Sequence, residues 1–159
     1  MTLPADAHGV YVIAPTPFHP DGRVDDASID RMTDFFVQAG VTGITVLGQL
    51  GEAPKMTHEE SVAIVRRVTA RVRVPVVVGV SAPGFAAMRA LTQDAMAAGA
   101  AAVMIAPPST LRTDDAIAGY YRQASEAIGA DVPFVIQDYP LTFSVQMAPA
   151  VIRRIVQEN

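Results

Sequence analysis

Five times along the chain an apolar, β-rich run gives way to an amphipathic segment, and the runs begin near positions 10, 44, 76, 102 and 134. That spacing, about 30 residues per step, is the length of one strand-plus-helix unit. The strand-like runs cover 9–14, 43–47, 75–80, 101–106 and 133–137. Helical patterns lie near 25–39, 58–71, 84–98, 114–128 and 148–157. In the first of these Ile29, Met32, Phe36 and Ala39 recur at three- and four-residue steps, which predicts one buried helix face. Asp25 or Asp26 can cap its start and Gly40 its end. Thr57 with Glu60 three residues on predicts a capping box, Thr113 opens the fourth helix, and Gly99 and Gly129 close the third and fourth. Pro149 is tolerated at a helix start, where its missing N–H has no partner to lose.

Runs such as Val76-Val77-Val78-Gly79-Val80 are apolar without alternation, so both faces are expected to be covered. That pattern belongs to a parallel sheet with crossover helices. Two architectures accept it. Five strands in 159 residues would complete a flavodoxin-like, doubly wound sheet. The same units would equally be the first five of a (β/α)8 barrel of about 250 residues. Length alone favours the first and periodicity does not choose.

Half the residues are apolar and no cysteine is present, which suits one well-buried domain without a disulfide framework or a thiolate metal site. No apolar run approaches the roughly 20 residues of a membrane span, and Met1–Asp6 lacks the pattern of a secretory signal. A cytoplasmic protein without membrane contact is expected. The net charge of −4, with no basic block, argues against nucleic acid as a partner. His8, His19 and His58 are scattered and imply no metal.

The candidate site follows from the strand ends. Ligands of parallel α/β folds bind beyond the carboxyl ends of the strands. There the run Ile44–Leu47 breaks into Gly48-Gln49-Leu50-Gly51-Glu52, a corner whose glycines admit unusual backbone angles and close approach. Glu52 is read as a tether or a complement to the following helix dipole. Ser81 can line a pocket, and of Tyr120 and Tyr121 one ring should pack inward while the other faces outward. Arg66, Arg67, Arg71 and Arg73 read as a solvated face.

Taken in order, Gly9 to Phe18, Asp21-Gly22, Val24-Asp25, the Ala39–Gly43 step, Gly48-x-x-Gly51-Glu52-Ala53-Pro54 and Thr57-x-x-Glu60 resemble the dihydrodipicolinate synthase / N-acetylneuraminate lyase family of class I aldolases. Ala106-Pro107-Pro108 and Gln137-Asp138-Tyr139-Pro140 fall at that family's fourth- and fifth-strand motifs. The resemblance implies a (β/α)8 barrel of which residues 1–159 are an incomplete single domain ending before the sixth strand. It implies a Schiff base between a 2-keto acid and a lysine on that sixth strand, no cofactor, and a homo-oligomer, dimer or tetramer. Lys55, the one lysine here, lies outside such a position and reads as a surface charge. The resemblance also implies substrate binding at Gly48, Gln49, Leu50 and Gln137. Tyr139, two residues past Gln137, shares its face if the fifth strand continues that far, and is the candidate catalytic proton relay. Five positions depart from the family's pattern. Gln49 and Leu50 occupy the positions of two hydroxyl residues that hold the keto acid's carboxylate, and Gln137 that of the relay tyrosine. Ser109 stands where many members have a second tyrosine, and Thr142 where the synthase branch carries an arginine. A divergent lyase, aldolase or dehydratase for a 2-keto acid or 2-keto-3-deoxy sugar acid is the expected activity, against a regulatory module or a non-catalytic family member that binds a small acid.

Overall fold

The computed structural model describes residues 2–159; Met1 lies outside them. Five strands, β1 (Tyr11–Ile13), β2 (Gly43–Val46), β3 (Val76–Gly79), β4 (Ala102–Ile105) and β5 (Phe134–Ile136), alternate with helices. The helices are α1 (Asp26–Gln38), α2 (His58–Arg71), α3 (Phe85–Ala97), α4 (Asp114–Ile128), the short α5 (Pro140–Phe143) and α6 (Pro149–Glu158). A 3-10 turn at Ala53–Lys55 precedes α2. This turn and α5 are the two elements that periodicity does not reveal, both being shorter than the repeat needed to detect a helix.

All five strands are parallel and their spatial order is β1-β2-β3-β4-β5. A doubly wound sheet must reverse direction at a switch point, giving an order such as 2-1-3-4-5. None occurs among the described residues, and the flavodoxin-like alternative is thereby excluded. The helices follow the same progression, α1 packing on α2, α2 on α3, α3 on α4 and α4 on α6. The molecule is an arc of a barrel, a partial (β/α)8 fold.

The expectation of two covered faces is met in an unequal way. One face carries Ile44, Val46, Val76, Val78, Val103 and Ile105 into a large core shared with Ile29, Val65, Val68, Met88, Tyr121 and Ile155 of the helices. The opposite face holds a small separate cluster of Val77, Ala102 and Met104, against which Leu3, Tyr11 and Val135 pack. Register explains the division. Ile13, Thr45, Val77 and Ala102 lie abreast on neighbouring strands, and Gly79, Met104 and Val135 form the next row. Layers of inward side chains from adjacent strands are how a barrel fills its interior.

The caps form as read. Asp25 accepts from the Ser28 N–H at 3.0 Å, and the Thr57–Glu60 box is closed in both directions, at 3.2 and 2.9 Å. Two sequence readings of α1 and α2 need correction. Ala39 is an exposed cap rather than a core residue, and Thr33 is the buried member of that face instead. The arginines are not all solvated: Arg67 grips Asp30 at 2.7 and 2.9 Å, and Arg71 grips Asp34 at 2.7 and 2.6 Å. These forked bonds hold both carboxyls below their ordinary range.

Candidate active site at the carboxyl ends of the strands

β2 ends in a turn built on unusual backbone. Leu47, fully buried, has φ 56°, and Glu52, at the far end of the turn, has φ 57°. Left-handed conformations of non-glycine residues cost about 1–3 kcal/mol each and persist only where the surroundings enforce them. The enforcement is visible. Thr16, after β1, donates its hydroxyl to the Gly51 carbonyl at 2.6 Å in a buried bond. A Cβ on Gly51 would lie 3.1 Å from the Ala14 carbonyl, and one on Gly48 3.1 Å from the Ile13 side chain. Glu52 does not tether backbone through its side chain; its carboxylate pairs with Lys55 at 2.5 Å. Lys55 is exposed and engaged there, as a surface charge would be.

Within the turn, the Glu52 N–H bonds back to the Gln49 carbonyl at 3.2 Å. Among the described residues none accepts from the N–H groups of Gln49, Leu50 or Gly51. Backbone N–H groups left without a protein acceptor can donate to a carboxylate.

The neighbouring strand ends are tied down as carefully. Ser81, after β3, accepts from the Ala106 N–H at 2.8 Å, and Tyr120 donates to the Ala106 carbonyl at 3.3 Å. The Ile105 carbonyl takes both the Tyr121 hydroxyl at 3.1 Å and the Gln137 N–H at 2.9 Å. Gln137 therefore extends the β4–β5 pairing by one step. Since Ile136 faces the helices, Gln137 takes the alternate, barrel-interior side with Val135.

A groove of about 670 Å³ runs outward from this end, lined by Gln49, His58, Ser81, Pro108, Tyr120 and Thr142 among others. His58 Nε2 lies 2.9 Å from the Asp94 carboxylate, joining the start of α2 to α3.

Of the residues singled out from sequence, Gln49 lines the groove, Gly48 is buried behind the turn, and Leu50 projects with 59% of its surface exposed. Gln137 is half-buried at the end of β5. Tyr139 is differently placed from the strand-based expectation. β5 ends at Ile136, and Tyr139 caps α5 with its ring exposed, so the two-residue period that would align it with Gln137 no longer applies. Sequence reasoning missed Tyr120. It does not face outward but lines the groove, stacked on Phe85 at 5.8 Å. The available signal was its place one residue before Tyr121 on the inward stripe Ile117, Tyr121, Ala124, Ile128.

Burial pushes the Tyr120 hydroxyl up to about 12 and raises that of Tyr121 as well. The fold thus favours the neutral phenols. Their contribution is fully present below the unfolded value of about 10 and is lost as pH rises through the folded values. The denaturation midpoint should hold steady from pH 7 to 9 and fall from about pH 10 to 12, with Tyr120→Phe removing part of the fall. A midpoint constant to pH 12 in the parent protein would contradict the burial of these hydroxyls.

Sequential parallel strands, helices on one side and strand-to-helix loops gathered at one end define a partial barrel of the (β/α)8 class. The sequence model of the dihydrodipicolinate synthetase family matches residues 6–159. The crystal structure of dihydrodipicolinate synthase from Rhodopseudomonas palustris superimposes with a TM-score of 0.96 at 59% identity, covering 99% of this chain and 53% of that one. Two curated relatives are named 4-hydroxy-tetrahydrodipicolinate synthase. That of Acidiphilium cryptum is 30% identical over 94% of this chain and 52% of its own length. That of Pseudomonas aeruginosa is 31% identical over 92% and 51%. The chain belongs to the dihydrodipicolinate synthetase family and spans about half the length of the relatives it matches. No helix among the described residues is long and apolar enough to cross a membrane.

Proposed function

We propose that residues 1–159 are the first five units of an eight-unit barrel whose whole protein is a Schiff-base-forming lyase, aldolase or dehydratase. Its substrate is a 2-keto acid or a 2-keto-3-deoxy sugar acid, and it acts as a cytoplasmic homo-oligomer, dimer or tetramer. The observation that carries this reading is the β2–α2 turn, which presents three adjacent unpaired N–H groups at the carboxyl end of a parallel barrel arc.

The chemistry divides between this chain and a lysine on the proposed sixth strand. The N–H groups of Gln49, Leu50 and Gly51 hold the keto acid's carboxylate, and the Gln49 amide adds a donor. The lysine amine adds to the keto carbon and water leaves, giving a protonated imine. That imine accepts the electron pair released when an adjacent carbon–carbon bond breaks, so an aldehyde departs and an enamine remains. Protonation of the enamine and hydrolysis return the keto acid and the free amine. Gln137 orients a substrate hydroxyl but cannot itself relay a proton, since an amide does not titrate near neutrality. Tyr139, two residues on, is the proposed relay, taking the substrate hydroxyl's proton as the aldehyde leaves and returning it to the enamine.

Borohydride treatment of the whole protein with pyruvate is expected to abolish activity and add one reduced keto acid to a single lysine, read by mass spectrometry. Unchanged mass and full activity with both pyruvate and a 2-keto-3-deoxy sugar acid would overturn the imine. Gln49, Leu50 and Gln137 in place of hydroxyl side chains favour one second reading, a scaffold that binds a small acid without turning it over. Saturable keto-acid binding with no adduct would identify it.

A further inference from the structure

The interior face beneath the strand ends adds a residue to the proposed carboxylate site, and this inference rests on the turn's role in the reading above. We propose that Met104 is a positioning residue for the β2–α2 turn. Its side chain props Gly48 and, through Gly48, the N–H groups of Gln49, Leu50 and Gly51.

Gly79 and Met104 lie abreast on β3 and β4. A side chain at 79 has no space, since its Cβ would lie 2.7 Å from the Leu47 carbonyl carbon and 3.2 Å from the Gly48 nitrogen. The start of the turn therefore fills the place that a residue at 79 would take. Met104 reaches the same backbone from the next strand. Its Cε lies 3.3 Å from where a Cβ on Gly48 would stand, and the Ile13 side chain lies 3.1 Å from that point. Gly48 is thus seated on two side chains, one from β1 and one from β4.

Met104 has little room to withdraw. It is buried with Val77 and Ala102, and Leu3 packs against the same cluster. Leu3 is held at the amino end of β4, where its N–H donates to the Ala101 carbonyl at 3.0 Å. An unbranched, adaptable methionine suits an irregular contact with backbone. The turn needs such a seat. Leu47 and Glu52 hold left-handed backbone at its two ends, which persists only where the surroundings enforce it. The Thr16 hydroxyl fixes the Gly51 end and Met104 supports the Gly48 end. Shortening Met104 lets Gly48 sink and turns the N–H donors away from the carboxylate.

The test uses the whole protein. Pyruvate binding is measured by titration calorimetry, and borohydride trapping is followed over a range of pyruvate concentrations. Met104→Val shortens the prop but leaves a residue suited to a buried strand, so folding is retained. It is expected to weaken pyruvate binding about fivefold or more. The half-saturating concentration for trapping should rise by the same factor, with the full extent of adduct unchanged at saturation. Met104→Leu keeps most of the reach and should recover most of the affinity. Val77→Ala is the control: it thins the same cluster away from Gly48, and should lower the denaturation midpoint while leaving pyruvate binding as it is. Parent-like binding by Met104→Val overturns the inference, and so does an equal weakening by Val77→Ala. A parent protein that binds pyruvate without an adduct removes the aldolase reading, and calorimetry on the variants still decides the role of Met104. One that neither binds nor traps pyruvate overturns both.

Discussion

Gly79→Ala is expected to destabilise the protein by about 3 kcal/mol or more, at the upper end of what overpacking a core costs. A Cβ at position 79 would stand 2.0 Å from the Leu47 carbonyl oxygen, 2.7 Å from its carbon and 3.2 Å from the Gly48 nitrogen. All three are backbone atoms, so no side-chain rotation relieves the collision. Leu47 has no freedom to retreat. It is buried, its φ of 56° is already strained, and it opens the turn that ends in the Thr16–Gly51 bond. Relief must come from parting β2 and β3 or from rebuilding the turn, and either displaces the N–H groups proposed to hold a carboxylate. Gly119→Ala is the control. It lies inside α4 with nothing within 4 Å of its would-be Cβ, and should gain about 0.5–1 kcal/mol from helix propensity. Equal denaturation midpoints for Gly79→Ala and the parent would show that the β2–β3 contact is looser than described.

The repeat of strand-like runs made the units legible, because each strand's apolar content and each helix's stripe are local properties of the chain. Thr57, Glu60, Asp25 and Thr113 announced their helices for the same reason: a cap binds backbone two or three residues away. How the units assemble is not local. Val76–Val80 reads as covered on both faces whether the second cover is another helix layer or the interior of a closed sheet, and only the spatial order of the strands separates the two. The ordered motifs at strand ends pointed to the barrel, through resemblance rather than through period.

The candidate site was legible in part. The turn at Gly48–Glu52 could be located because glycines mark it, and Ser81 and Gln49 fall where the strand-end rule puts them. The pairing of Glu52 with Lys55, of His58 with Asp94 and of Arg67 with Asp30 could not be read. Lys55 and Glu52 are near in sequence, but their meeting depends on the left-handed twist at Glu52. The other two pairs join residues 36 and 37 positions apart. Tyr139 shows the limit of periodicity at a strand end. A proline at 140 admits an extended chain or a helix start equally well, and here the helix start wins.

Tyr121 is where the loss of one side chain should separate fold from site. Its ring is fully buried, stacked near-parallel with Phe134 of β5 at 6.2 Å and edge-on to Tyr120 at 5.3 Å. Tyr121→Ala removes an aromatic from the middle of the main core and should cost about 4 kcal/mol, a large share of a typical domain's stability. Tyr121→Phe keeps the packing and loses only the hydroxyl. The Ile105 carbonyl keeps its bond from the Gln137 N–H, so the expected cost falls to about 1 kcal/mol. The two variants thus measure different things by denaturant unfolding: the first the anchoring of α4 to β4 and β5, the second the single bond that steadies the strand end before Gln137. If both cost the same, ring packing contributes nothing beyond the hydroxyl, and the account of α4 as the element that fixes the β4 and β5 ends fails.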